Sequence, residues 1–284
     1  MEENVFEQIR QEYYDLTAAE KKTADYVMSH HAETQFLSIA ELAEACGVAE
    51  ATVSRFCRRM GYKGYNAFKL AIANATAIRS QDAALPSGQA LSGDRLEDLC
   101  QQLYTTDTGV ITETLTLIQP ETIRTAARLL ADAGKVLCMG QGGSMIMAQE
   151  AAHLFSTVSG KFFAIGDSHM QVTAAANLSA QDVLLFFSYS GSTRELMDTL
   201  RIAREQRARI VLITRFPKAP GAALADVVLR CGSNESPLQL GSVGARIAQL
   251  FLLDVLFHEF CCLDADGCDA NRKRIAAALA EKHL

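Results

Sequence analysis

The sequence predicts two domains: an all-α helix-turn-helix domain, and an α/β domain with a five-stranded parallel sheet of the doubly wound type. Its 284 residues exceed the usual size of one domain. Short helical patterns separated by a glycine fill the N-terminal part, and apolar runs alternate with helical patterns after residue 120. We place the first domain at residues 1–80, a linker and connector helix at 81–120, and the second domain at 121–284.

Composition excludes several classes of protein. Hydrophobic residues make up 49% of the chain and charged residues 21%, as in ordinary globular proteins. A net charge of -6 argues against a protein that coats nucleic acids or membranes non-specifically. No apolar run approaches the roughly 20 residues that span a bilayer, and the acidic N-terminus does not resemble a signal peptide. We therefore expect a cytoplasmic protein without a membrane partner.

The eight cysteines are scattered along the chain and fit buried thiols better than disulfides. His258, Cys261, Cys262 and Cys268 are close enough in sequence to consider a zinc site. They contain neither a CxxC pair nor an HxxxH spacing, so we predict no metal and no cofactor. The role of these four residues stays open.

The N-terminal region contains start and stop signals for short helices. One helical pattern begins after Thr17, and Ser38 followed by Glu41 predicts the N-terminus of another. Gly47 ends that helix, and residues 50–60 form a third apolar stripe at helical spacing. Two short helices joined by a tight glycine turn predict a helix-turn-helix motif.

Charge is distributed unevenly across this motif. Residues 51–81 contain six bases and no acid, whereas residues 1–50 contain eleven acids. A local basic surface on an acidic protein favours recognition of duplex DNA. The alternative is a solvated basic face used for protein contacts.

We expect the third helix to be the recognition helix, with its N-terminal residues facing base edges and the residues after them contacting phosphates. The predicted base-reading residues are Glu50, Ala51, Thr52, Ser54 and Arg55. The predicted phosphate contacts are Arg58, Arg59, Lys63, Tyr65 and Lys69, and Ser38 completes the DNA-contacting set.

The run SIAELAEACGVAEATVSRFCRRMGYKGYNAFKLAIA, residues 38–73, closely resembles the N-terminal domain of the RpiR family of bacterial transcriptional regulators. The resemblance includes the turn, the recognition helix and the glycine-aromatic tail that follows. It implies an operator in duplex DNA as the partner of this domain.

Residues 83–94 contain Pro86, Gly88 and Gly93 without an apolar period, which predicts a linker. A helical pattern returns from Arg95, with Gly109 as a weak point. This connector could pack across a dimer or cover a ligand pocket, and the sequence leaves both possibilities open.

Strands and helices alternate in the second domain, which predicts a parallel sheet with ligands at the carboxyl ends of its strands. Helices are predicted around the strands, including one at 145–157. The predicted strands are Val136–Met139, Phe162–Ile165, Val183–Phe187, Ile210–Thr214 and a fifth around Val227–Leu229.

Two turns in this domain share one design, in which a buried strand passes through small residues into a helix. They are SYSGST at residues 188–193 and GQGGS at residues 140–144. Unpaired N–H groups at the helix start, together with small hydroxyl side chains, favour an anion. An N-cap would explain one hydroxyl of SYSGST, but not four in six residues. GQGGSM lacks the third glycine of a dinucleotide fingerprint, so a phosphate on a compact sugar fits better.

The second domain resembles the sugar isomerase (SIS) domain, whose sheet is flavodoxin-like, and with the first domain it extends the likeness to RpiR-type regulators. The resemblance implies phosphate contacts from Ser188, Ser190 and Thr193. It implies further ligand contacts from Gly142 and Ser144 in the turn at residues 140–144. It also implies ligand contacts from His169, Glu235 and, more weakly, Arg246. His169 could instead be a surface residue at a helix start, and Glu235 a solvated loop carboxylate.

Together these observations predict a non-enzymatic regulator that senses a phosphorylated sugar and controls genes of carbohydrate metabolism. The alternative is an aldose-ketose phosphate isomerase with an accessory DNA-binding domain, which would need a base beside the reacting carbon. We expect a homodimer or homotetramer, with helices at 247–260 and 275–284 as subunit contacts. The sugar, the operator and the sign of regulation stay open.

Overall fold

A computed structural model describes residues 5–79, 96–233 and 243–280 of the chain. These residues divide into two compact units, the first ending at Gln101 and the second beginning at Gln102. Of the helices within these three ranges, none is both long enough and apolar enough to cross a membrane.

The first unit is all-α and is built around one apolar core. Its largest fully buried side chains include Phe6, Phe56 and Phe68, and the last two rings meet edge to face. The first helix was not predicted from sequence, although its Val5, Phe6 and Ile9 are buried. The helices are α1 (Val5–Glu12), α2 (Ala18–Ser29), α3 (His31–Thr34), α4 (Ile39–Cys46), α5 (Glu50–Arg59) and α6 (Tyr65–Arg79).

The helix-turn-helix consists of α4 and α5. The structure confirms the predicted cap of α4, since Ser38 and Glu41 form a reciprocal capping box. Thr17 and Glu20 form a second capping box at the start of α2. Gly47 ends α4 with a left-handed φ of 62°, a conformation that favours glycine.

The connector is one long helix, α7 (Leu96–Leu117), and Gly109 does not interrupt it. Most of its side chains are exposed, but Val110 and Thr114 are buried. The preceding part of the predicted linker, residues 81–95, lies outside the described residues.

The second unit has the predicted sheet, whose five strands are all parallel in the order β2-β1-β3-β4-β5. The central strands pair from Val136↔Val183 to Gly140↔Phe187. Because β2 and β3 lie on opposite sides of β1, the topological switch falls between β1 and β3, where ligands of this architecture bind. The strands are β1 (Val136–Gly140), β2 (Phe162–Ala164), β3 (Val183–Phe187), β4 (Arg209–Thr214) and β5 (Val227–Arg230).

Helices cover both faces of the sheet, so alternate residues of each strand enter different cores. In β1, Val136 and Cys138 face one core, while Leu137 and Met139 face the other. The first core includes residues of α8 (Pro120–Asp132), α9 (Gly143–Ser156) and α12 (Val243–Leu263), and the second includes residues of α10 (Ser168–Ala176) and α11 (Arg194–Glu205).

The predicted helix at 247–260 lies within α12, whose Leu252, Leu256 and Phe260 are buried within the core of this chain. Its role as a subunit contact stays a prediction. The last helix, α13 (Ala265–Ala280), begins ten residues before the predicted start at Ile275.

Candidate functional sites

The exposed face of α5 carries part of the predicted DNA-contacting set. Glu50, Ala51, Arg55 and Arg58 are exposed and Ser54 is partly exposed, while Val53, Phe56 and Cys57 face the core. Lys63 is also exposed in the turn after α5. Within the described part of the chain, no acidic side chain forms an ion pair with Arg58 or Lys63. These two cations are therefore available to phosphates.

Other predicted DNA contacts are engaged within the fold. Thr52 is only 7% exposed and accepts a hydrogen bond from Arg55 Nη2 at 3.3 Å. Arg59 pairs with Glu20 at 3.5 Å, which anchors α5 to α2. The expectation that Thr52 reads bases is not supported by this geometry, and Arg59 would have to leave its carboxylate to contact a phosphate.

Tyr65 and Lys69 were expected to contact phosphates, but both side chains turn inward. The Tyr65 hydroxyl and the Lys69 ammonium each donate to the Leu37 carbonyl at 2.9 Å. Burial lowers the pKa of Lys69 to about 8, and the nearby Glu41 carboxylate only partly opposes this effect. Burial also raises the pKa of Tyr65. These residues fix the segment before α4, where Ser38 is occupied by its capping box.

In the second unit, the turn after β3 holds its hydroxyl groups in an ordered arrangement. Ser188 is 6% exposed, and its Oγ accepts the Gly191 N–H at 3.1 Å. Ser190 Oγ accepts the Ser192 N–H at 3.4 Å. A hydroxyl that accepts from the backbone keeps its own proton for another acceptor. Both serines can therefore donate to an anion.

Thr193 is the N-cap residue of α11, yet its side chain caps no N–H of that helix. The first N–H groups of a helix have no intrahelical acceptor and carry partial positive charge. Since the Thr193 hydroxyl forms no cap bond, both this hydroxyl and the start of α11 are available to an anion.

Gly191 fixes the shape of this turn. Its φ is +61°, and a Cβ built on it would lie 2.6 Å from the Ala219 Cβ and 3.0 Å from Thr214 Oγ1. Its carbonyl accepts the Gly221 N–H at 2.9 Å. The turn is thus clamped against the segment that follows β4, and only glycine fits there.

The turn after β1 is shorter than predicted, because α9 already begins at Gly143 and places Ser144 in its first turn. Gly142 occupies the N-cap position with a φ of 54°. A Cβ on Gly140 would lie 2.5 Å from the Ser144 carbonyl oxygen, so α9 starts directly against the end of β1. Since Gly140 pairs with Phe187, the two turns lie side by side.

Gln171 joins the loops after β1 and β2, and sequence reasoning missed it. It is fully buried in α10, where its Nε2 donates to the carbonyls of Gly140 at 3.0 Å and Ile165 at 2.8 Å. Its Oε1 accepts from Gln141 Nε2 at 2.7 Å. A single glutamine at a helix start gives no local signal of this role.

Three further predicted ligand residues occupy different positions. His169 is exposed in the first turn of α10, whose N-cap is Asp167. Arg246 is partly exposed near the start of α12. Glu235 lies outside the described residues. The described geometry therefore brings together Gly142, Ser144, Ser188, Ser190 and Thr193 at adjacent strand ends.

Chemically, this edge combines two helix N-termini with several hydroxyl donors. A phosphate monoester has three acceptor oxygens and about -1.5 to -2 charges at neutral pH, which matches such donors.

Family models match both units of the chain. A helix-turn-helix domain of the rpiR family matches residues 3–79, and a SIS domain matches residues 129–259.

The similarity to known proteins covers nearly the whole chain. An uncharacterized HTH-type transcriptional regulator of Haemophilus influenzae is 32% identical over 99% of this chain and 98% of its own. The HTH-type transcriptional regulator HexR of Pseudomonas aeruginosa is 31% identical over 89% and 87%, respectively.

Among solved structures, the Vibrio vulnificus NanR protein complexed with ManNAc-6P covers 99% of this chain and 100% of its own, with a TM-score of 0.87 and 23% identity. At this identity the likeness shows a shared fold.

Proposed function

Since the chain belongs to the rpiR family of HTH-type transcriptional regulators that carry a SIS domain, we propose that it senses a phosphorylated sugar. The sugar phosphate binds at the edge between β1 and β3 and alters the affinity of the helix-turn-helix for its operator. Such a sensor needs only a difference in effector affinity between two conformations.

The observation that carries the proposal is the start of α11. Thr193 leaves the helix N-terminus without a side-chain cap, while Ser188 and Ser190 are held by backbone N–H groups with their own protons available. Three hydroxyls beside one helix N-terminus suit a phosphate group. The ManNAc-6P of the NanR complex is a ligand of this class.

The effector half of the proposal is tested by thermal unfolding with a panel of sugar phosphates that includes ManNAc-6P and glucose 6-phosphate. An effector present at a hundred times its Kd stabilises the folded protein by about 2.7 kcal/mol. Ser190→Ala should reduce this stabilisation. Ser156→Ala removes an exposed hydroxyl from the end of α9 and should not. If no phosphorylated sugar stabilises the protein, the effector proposal is wrong.

The DNA half is tested by binding to the chain's own upstream region at several salt concentrations. Arg58→Ala should weaken binding and reduce the slope of log affinity against log salt by about one. Arg10→Ala removes an exposed arginine from α1 and serves as the control. Equal affinity of the Arg58 variant and the unmodified protein would exclude α5 as a DNA-contacting helix.

The same reagents separate a sensor from an isomerase. A sensor leaves the bound sugar phosphate unchanged, whereas an isomerase interconverts its aldose and ketose forms. Incubation with the stabilising sugar followed by NMR of the mixture decides between them, and interconversion would refute the sensor.

A further inference from the structure

The connector helix α7 contacts the sheet edge that carries the proposed effector site. The Gly232 N–H, just after β5, donates to Thr114 Oγ1 at 3.0 Å. A Cβ on Gly232 would lie 2.8 Å from the Thr114 backbone nitrogen, so the two backbones touch directly. Thr114 is fully buried at this contact. The helix is thus fixed against the segment after β5.

A second contact is an ion pair. Arg215 Nη2 lies 3.0 Å from the Glu113 carboxylate, and the two side chains are only 17% and 34% exposed. Arg215 directly follows β4, and its backbone N–H donates to the Tyr189 carbonyl at 3.1 Å. Because Tyr189 is part of the turn at residues 188–193, Arg215 is attached to the turn that would hold the phosphate.

The Arg215 guanidinium suits a phosphate group as well as it suits the Glu113 carboxylate. A guanidinium presents five N–H donors in a planar fork that matches phosphate oxygens as well as a carboxylate. Within the second unit, Arg215 is bonded to the turn by its backbone and to α7 by its side chain. A phosphate that carries nearly two charges competes well with the partly solvated Glu113 carboxylate.

We propose that Arg215 is a further phosphate-binding residue of the effector site, and that it exchanges Glu113 for the effector's phosphate and so loosens α7. The inference rests on the proposed function, because it assumes a phosphate at the β3 turn. The helix α7 follows the helix-turn-helix motif in sequence, and its first residues, up to Gln101, belong to the first unit. Release of Glu113 is therefore a route from the effector to the DNA-binding part of the molecule.

The first test measures binding of inorganic phosphate to the full chain by calorimetry. Loss of a charge-assisted hydrogen bond predicts that Arg215→Gln binds about tenfold more weakly. Removal of the competing carboxylate predicts that Glu113→Gln binds several-fold more tightly. Arg215→Lys, which keeps the charge but loses the fork, should fall between Arg215→Gln and the unmodified protein.

Control variants come from α7 and α11. Glu97→Gln removes an exposed acid from the first turn of α7, about 24 Å along the helix from Glu113. Arg201→Gln removes an arginine from α11 whose side chain is 59% exposed. Neither change should alter phosphate affinity. Unchanged affinity in Arg215→Gln, or weaker binding in Glu113→Gln, would refute the exchange.

The second test follows amide hydrogen exchange in α7 with and without inorganic phosphate. Phosphate should accelerate exchange around residues 110–117 of the unmodified protein. In Glu113→Gln, exchange there should already be fast and should not respond. Absence of any change in the unmodified protein would refute the release of α7. If Ser190→Ala binds phosphate normally, the proposed site itself fails, whereas dependence on Ser190 but not on Arg215 rejects only this inference.

Discussion

The N-termini of α4 and α11 begin with similar residues but have opposite environments. At α4, Ser38 and Glu41 close a reciprocal capping box, and the preceding Leu37 carbonyl accepts from both Tyr65 and Lys69. At α11, Thr193 caps nothing, although serines surround it. The polar groups at the start of α4 are hydrogen-bonded within the protein, and these bonds contribute stability. The start of α11 leaves its donors without a side-chain cap, which is why we propose this start, and not that of α4, as a phosphate site.

The largest effect is expected from Gly191→Ala, which destroys the open turn. The new Cβ would be strained at a φ of +61° and would meet Ala219 at 2.6 Å. We expect a loss of about 3 kcal/mol in the free energy of unfolding and no thermal shift with sugar phosphates. Gly166→Ala adds a methyl group that meets nothing within 4 Å and serves as the control. Normal effector binding by Gly191→Ala would show that the turn need not be rigid.

Gln171→Leu tests a third helix start, that of α9, which directly follows the turn after β1. The substitution leaves the Gly140 and Ile165 carbonyls without their side-chain donor, at a cost of about 2–3 kcal/mol. Urea unfolding measures this cost. Effector affinity should fall less than in Gly191→Ala, because the turn after β3 stays intact. An effector loss equal to that of Gly191→Ala would place the main phosphate contacts in the turn after β1.

Lys69→Met tests the hydrogen-bonded N-terminus of α4 through the pH dependence of the free energy of unfolding. The pKa of Lys69 is about 8 in the folded protein and 10.5 for an ordinary lysine, since burial disfavours the charged form. Between these pH values the unfolded chain binds more protons, so stability rises with pH there, and the cost of burying the ammonium is fully present below pH 8. The unmodified protein should therefore gain about 3 kcal/mol relative to Lys69→Met between about pH 7 and about pH 11. A difference independent of pH would contradict this.

The smallest effects separate the two helix starts directly. Ser38→Ala should cost about 1 kcal/mol because it removes a cap, and Thr193→Ala should cost almost nothing because its hydroxyl caps no N–H. Effector affinity should show the reverse order, with a loss only in Thr193→Ala. Chemical denaturation and calorimetry on the two variants measure both quantities. Equal destabilisation would mean that Thr193 caps α11 in solution.

Much of the fold follows from local sequence. The unbroken apolar run Val183–Phe187 predicted β3 with its observed bounds, and each of the other strands differs from its prediction by one residue. The capping boxes and Gly47 were readable because each signal lies within a few residues. The helix α1 was missed since its stripe of Val5, Phe6 and Ile9 is short and charged residues interrupt it.

The sites were harder to predict because their contacts join distant residues. Lys69 bonds to Leu37 across 32 positions, and nothing near Lys69 in sequence shows that its side chain turns inward. Arg215 and Glu113 belong to different elements, so their pairing depends on the packing of α7. The turn residues Ser188, Ser190 and Thr193 were predicted together since the motif is local, and their role as phosphate contacts stays a prediction.

The backbone contact between Gly232 and Thr114 limits how α7 can move. With no side chain between the two segments, the helix has no room to approach further. If the proposed release of Glu113 frees α7, this contact is the point about which the helix would tilt. From Thr114 to Leu96 the helix extends about 27 Å. A tilt of about 5° at that fulcrum would displace the far end by about 2 Å, as follows from that length. A sub-ångström change beside the sheet would thus be magnified by leverage alone.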